Sequence, residues 1–344
     1  MGTYRIITTD GEKELDPADG YVLPHEHIIV DLRVWWDGEG SWNELDAPGN
    51  DVVPERLYDV LHRPQGICRE NLVLSDWYLA AKELSFARES GCQLVVDLST
   101  VGLDPVPHLG SKAARLAGVY LTVGTGRYLN DALGSEERGR SVEELVEEWS
   151  LALEQGIDGC RVGIIGEIGT GQEIVPEERR SLLAAAQVQK KSGLGINVHV
   201  HPYARRGLEA LAILDRAGAD LSKVALSHLD AEIDVVWLKQ ILATGCYAEF
   251  DLFGTGPFWQ IGDRGFSSDE QRMAAVAELC EAGYSEQLLL SHDICMKNSL
   301  RRYGGWGYGH LGERVFPVLE ERLGKGMLWR LTRINPLEFL AIQH

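Results

Sequence analysis

The chain has 344 residues, of which 44% are hydrophobic and 25% charged, and a formal net charge of −19. That length suits one α/β barrel with insertions, and the composition is that of a water-compatible globular protein. The negative balance disfavours nucleic acid and anionic membranes as partners, and no run approaches the ~20 apolar residues of a membrane-spanning helix. The opening MGTYRIITTDGEKELD lacks an apolar segment of the secretory kind, and the six cysteines are scattered without a CxxC pair. A cytoplasmic protein with reduced thiols is expected, Cys92 and Cys246 being buried beside apolar runs, and residues 1–344 read as one domain.

The first β-rich run, 22–30, lies in LPHEHIIVDL. Alternate strand residues share a face, so His25 and His27 can reach one cation while Glu26 points away. Taken alone, the pair fits two hydrogen-bonded strand histidines equally well. Residues 31–71 carry Pro, Gly and Trp35, Trp36 and Trp42, and a loop of that length in a compact fold is usually functional. A helix is expected over 75–89, a strand over 93–98 and another over 119–123. Ser141 with Glu144 has capping-box spacing and opens a helix over 141–154. The strand over 162–167 ends on Glu167, and a helix over 176–191 follows. The next strand, 196–200, carries His199 near its end. His201 is two residues on and shares that face, but it precedes Pro202 and falls in the turn, which favours His199. A helix over 208–217 leads to a strand over 224–227, with His228 directly after it. Then come a helix over 234–243, a strand over 246–250, a helix over 269–282 and a last strand over 287–291, followed by His292 and Asp293.

Strand and helix alternate about eight times, which implies a parallel sheet with helical crossovers. Eight units close into a (β/α)8 TIM barrel. An open doubly wound sheet has the same alternation, but no nucleotide-binding glycine motif follows an early strand. Barrel active sites stand at the C-terminal ends of the strands, where His25, His27, Glu167, His199, His228 and Asp293 all fall. Imidazole and carboxylate without thiolate suit Zn, with Mn, Co or Fe as alternatives. Six ligands exceed the roughly three of one open catalytic zinc, and they suffice for two divalent cations sharing a bridging carboxylate. His292 is expected to point off the metals, as a support or a turn cap. His62, His108 and His344 read as surface residues, and His310, in a glycine-rich loop, as a residue that could line the site.

LPHEHIIVDL, GIIGEIGTG, INVHVHP, ALSHLD, EFDLFGTG and LLLSHDICMKNSLRRYGGWGYGHL together resemble the phosphotriesterase-related proteins of the amidohydrolase superfamily. The resemblance runs from about Gly20 to the closing INPLEFLAI. It implies a barrel with a binuclear centre in which His25, His27 and Asp293 hold the more buried metal and His199 and His228 the exposed one. The 29-residue step from His199 to His228 resembles the family spacing. Many relatives place a carboxylated lysine where this chain has Glu167, so it resembles the glutamate-bridged branch, which weakens any transfer of phosphotriesterase activity. Tyr128, in VGTGRY, resembles a tyrosine near the metals of lactonase-like members; it reads equally as an aromatic packing beneath the loops. Asp293 is the expected catalytic base and then acid. Asp230 and Asp251 stand at strand ends suited to orienting imidazoles. Tyr128, Asp251, Lys297 and Arg301 are the expected substrate contacts, the last two from the basic stretch 297–306. The expected reaction is hydrolysis of a carboxylic ester, lactone or amide of a small molecule. Phosphoester or phosphotriester hydrolysis, and metal-containing binding without catalysis, are the alternatives. The resemblance and the Trp-bearing loop also suggest a homodimer.

Overall fold

The structure is a computed structural model and describes residues 2–37, 52–256, 260–261 and 264–342. Eight parallel strands form one sheet: β1 (Tyr21–Glu26), β2 (Cys92–Asp97), β3 (Tyr120–Thr125), β4 (Val162–Thr170), β5 (Ile196–Val200), β6 (Val224–Leu226), β7 (Tyr247–Phe250) and β8 (Leu288–Leu290). Each strand pairs with its neighbour in sequence, so the spatial order is the chain order. A parallel neighbour demands a crossover, and helices supply it: α1 (Trp77–Glu89), α2 (Pro107–Ala117), α3 (Val142–Gln155), α4 (Pro176–Ser192), α5 (Gly207–Arg216), α6 (Val235–Leu242) and α7 (Asp269–Glu281). The expected TIM barrel is therefore present.

The sequence signals translate into these elements through local physics. Ser141 caps α3 and Glu144 returns the bond to its backbone, completing the capping box. Along α3, Leu145, Val146 and Trp149 point inward, and full burial of such side chains contributes ~1.5–3 kcal/mol each. The strands, covered on both faces, are buried nearly throughout, β4 along all nine residues.

The seam between β1 and β8 is closed by the segment that follows β8. Asp293 N–H donates to His25 O at 3.2 Å and His27 N–H to Ile294 O at 3.2 Å. Glu26 completes the seam. Its buried carboxylate accepts from Ser291 Oγ, from His292 N–H and Nδ1, and from Ile294 N–H at 2.6–3.0 Å. Glu26 does point away from the histidine face, as alternation requires, and that placement makes it the clasp of the barrel. His292 is a support: Nδ1–H meets Glu26 and Nε2 accepts from Leu311 N–H at 3.1 Å.

Three differences from the expected elements matter. β1 stops at Glu26 rather than running to residue 30, so His27 lies one residue beyond the strand. β4 continues to Thr170, which puts Glu167 inside the strand and not at its end. A hairpin, Tyr4–Thr8 with Gly11–Leu15, was not anticipated. It packs under the N-terminal ends of the strands, where Thr122 Oγ1–H donates to Ile7 O at 2.8 Å. Its charged alternation, GEKEL, hides a strand that is solvated on one face.

Candidate active site

The histidines converge because each leaves its strand at the same end. His25 and His27 leave β1, with ring centroids 5.5 Å apart. His199 comes from β5, and its Nδ1 lies 2.9 Å from His228 Nε2. His228 follows β6 and Asp293 follows β8, both with left-handed backbone, φ 60° and φ 53°. Such backbone is sparsely populated outside glycine, and it clusters at functional sites.

Glu167 reaches the centre through a break in β4. The pairing of β4 with β5 shifts register between Ile165 and Ile168. Gly166 stands there with φ 126°, and a Cβ at that position would run into the carbonyl of Asn197. Only glycine fits, and the irregularity aims Glu167 inward. Its Oε1 lies 3.1 Å from His199 Nδ1, 3.3 Å from His228 Nε2 and 3.6 Å from His25 Nε2. Burial alone would raise the Glu167 carboxyl, but the imidazoles of His199, His228 and His25 hold it well below the usual carboxylate range. Asp293 Oδ1 lies 3.1 Å from His27 Nε2 and 3.7 Å from His25 Nε2.

A layer of buried partners orients these rings. His25 Nδ1 lies 3.1 Å from both Glu249 Oε2 and Asp251 Oδ2. His228 Nδ1 lies 3.1 Å from Asp251 Oδ1, and both Asp251 oxygens also accept from His228 N–H. His27 Nδ1 meets Ser99 Oγ at 2.9 Å. Glu249 in turn accepts from Asn197 Nδ2 at 2.6 Å and Ser227 Oγ at 2.9 Å. Fixing the far nitrogen of a ligating imidazole sets which nitrogen faces a metal.

The donor set fits divalent cations. His25 Nε2 and His199 Nε2 are buried without a hydrogen-bond partner. Ligand atoms of His25, His27 and Glu167 lie within 4.8 Å of one another, as do those of Glu167, His199 and His228 and those of His25, His228 and Asp293. His25 and His228 also recur among these groups, and Glu167 is the recurring carboxylate, its Oε1 within 3.6 Å of the His25, His199 and His228 rings.

A cavity of about 480 Å³ opens onto Glu167, His199, His228 and Asp293. Tyr128 lies against it, buried, its ring 4.8 Å from that of His199, and its hydroxyl accepts from Trp35 Nε1–H at 2.9 Å. Burial keeps this phenol protonated.

Other expected substrate contacts are placed elsewhere. Asp251 is wholly buried behind His228 and His25, where it orients rings and cannot reach a substrate. Arg301 lies along Phe86 and pairs with Glu313 at 2.6 Å, outside the cavity. Lys297 lines a separate cavity with Ile28, Leu74 and Tyr308. Asp230 accepts from Arg272 Nε–H at 2.8 Å rather than touching an imidazole. His310 pairs with Asp269 at 2.7 Å and does not line the cavity. His201 stands apart from the cluster, pushed down to about 4 by burial. His108 is exposed and His62 half-buried, its ring 4.2 Å from that of Tyr58, and Trp42 and His344 lie outside the described residues.

The sequence reading missed Glu249, Ser99, Asn197 and Ser227. Glu249 carried a usable signal: it stands two residues before Asp251 in EFD, on the same strand face.

The sequence profile described as "Phosphotriesterase family" matches residues 7–340. The chain belongs to the phosphotriesterase family. An N-acetyltaurine hydrolase of Pongo abelii is 34% identical over 331 residues, 94% of each chain. A resiniferatoxin-binding protein from Rhodobacter sphaeroides superimposes with a TM-score of 0.91 at 29% identity, over 98% of this chain and 95% of that one. A phosphotriesterase homology protein from Escherichia coli, solved with phosphate in its active site, gives 0.77 at 26% identity, over 95% and 100% of the two chains. As a member of this family with hydrolase relatives, the chain is an enzyme of the hydrolase class.

Proposed function

We propose that the chain is a binuclear metal-dependent hydrolase that cleaves an amide, lactone or carboxylic ester bond of a small molecule. One observation carries the reading: His27, Glu167, His199, His228 and Asp293 line the floor of one cavity with His25 directly beneath, the Glu167 carboxylate lies within 3.6 Å of three imidazoles, and two buried imidazole nitrogens have no hydrogen-bond partner. The amide-cleaving relatives support the bond class.

His25, His27 and Asp293 would hold one cation, His199 and His228 the other, and Glu167 both. Cations so held supply Lewis acidity toward a carbonyl oxygen and a water whose pKa falls to about 7. The chain's own residues do the rest. At the floor of the cavity Asp293 is about one-eighth exposed, while Glu167 is buried. Its carboxylate takes the proton of the attacking water at Oδ and passes it to the leaving nitrogen or oxygen. Asp251 and Glu249 keep His25 and His228 turned toward the centre. Leu252, Phe266 and Met296 line the wall and exclude bulk water, and Tyr128 orients the substrate.

The test combines elemental analysis of purified protein with a panel of N-acyl amines, lactones and phosphotriesters. Close to two divalent cations per chain are expected, with turnover of an amide or lactone. At most one cation in excess metal, or turnover of the phosphotriester alone, overturns the reading.

A further inference from the structure

Among the described residues that line the cavity above the histidines none is Lys or Arg. Away from the centre its walls are Leu32, Trp35, Leu103, Leu252, Phe266 and Met296. An open groove beside it shares Trp35 and presents Asp131, Glu173 and Glu178, again without Lys or Arg among its described lining residues. Of the arginines on this side, Arg205 pairs with Asp234 and Glu232, Arg264 with Glu232 and Arg206 with Glu173, while Arg138 bonds the backbone oxygens of Asn130 and Asp131. An anionic tail entering the first cavity would lose water against its apolar walls with no described lysine or arginine to pair it. Burying an unpaired charge is among the costliest events in a protein site.

The polar handles are neutral. The Tyr128 hydroxyl accepts from Trp35 Nε1–H at 2.9 Å, which leaves its own proton to donate into the cavity. Gln65 adds an amide on the same lining.

We propose that this chain takes a neutral substrate, an amide or lactone with an apolar body and one acceptor oxygen for Tyr128, and rejects amides that end in a sulfonate or carboxylate. The proposal rests on the hydrolase reading and sharpens it. It separates this chain from the relatives named for N-acetyltaurine, a sulfonate.

The experiment compares two isosteric ligands on the metal-loaded protein: N-acetyltaurine, and the neutral methyl sulfone in which the sulfonate is replaced. Calorimetric titration gives binding, and release of the amine gives turnover. The sulfone is expected to bind at least tenfold more tightly. Gln65→Arg, which adds a cation to the lining, is expected to narrow or reverse that ratio. Equal or tighter binding of N-acetyltaurine by the unaltered protein overturns the proposal, as does failure of both ligands to bind while a sulfonate-bearing amide is turned over. Selective binding of the sulfone without hydrolysis of any amide or lactone sustains the neutral pocket and counts against the hydrolase reading instead.

Discussion

Asp293 and His228 are held in left-handed backbone that non-glycine residues rarely adopt, at a cost of about 1–3 kcal/mol each. Asp293 therefore tests cleanly by an isosteric change. Asp293→Asn keeps the shape but cannot take up a proton, so kcat should fall by ~10²–10⁴, with melting temperature little changed in excess metal. Near-normal kcat with two cations bound would rule out the proton route. His199→Asn should lose metal and activity, whereas His201→Asn should keep both, as elemental analysis of the pair will show. Tyr128→Phe removes one neutral hydrogen bond, so KM should rise about fivefold with kcat nearly unchanged. At this scale the convergence of His25, His27, Glu167, His199, His228 and Asp293 was legible in the sequence because each falls at or near the same end of its strand. Asp251, Lys297 and Arg301 were not. Which way a loop side chain turns is decided by distant partners, such as Glu313 for Arg301.

β1 and β4 show how much an element's edge matters. The hydrophobic runs fixed where both strands begin to within a residue, yet neither end followed from pattern. Asp293 N–H and Ile294 O capture the backbone of β1 from the other end of the chain, and no local signal records that. In β4 the glycine at 166 that aims Glu167 was visible as a letter but not as a bend. Glu26 gives the sharpest prediction for an element. Glu26→Ala leaves the buried donors of Ser291, His292 and Ile294 without their acceptor. Such loss should cost about 3 kcal/mol in denaturant unfolding, whereas Glu26→Gln, which keeps one acceptor oxygen, should cost less. Equal stability of the alanine variant would show that the seam is held elsewhere.

For the whole molecule, strand order equals chain order, so the alternation of periodic segments gave the parallel sheet and its crossovers, while the choice of a barrel over an open sheet needed the missing glycine motif and the family resemblance. The N-terminal hairpin was not legible because half of it faces water. Cations bound by the folded chain and not by the unfolded one should raise stability by about 4 kcal/mol at ~1,000 times Kd. Chelation should accordingly lower the melting temperature, and a melting curve indifferent to chelator would count against the metal centre. Glu26 and Ile294 meet at the seam although they stand near opposite ends of the chain, and His25 O accepts from Asp293 N–H there. On the proposed centre, a nascent chain still lacking its last strand owns five of the six converging side chains but not Asp293. A fragment cut off before β8 is accordingly expected to be inert, hydrolytic power arriving only with the final part of synthesis.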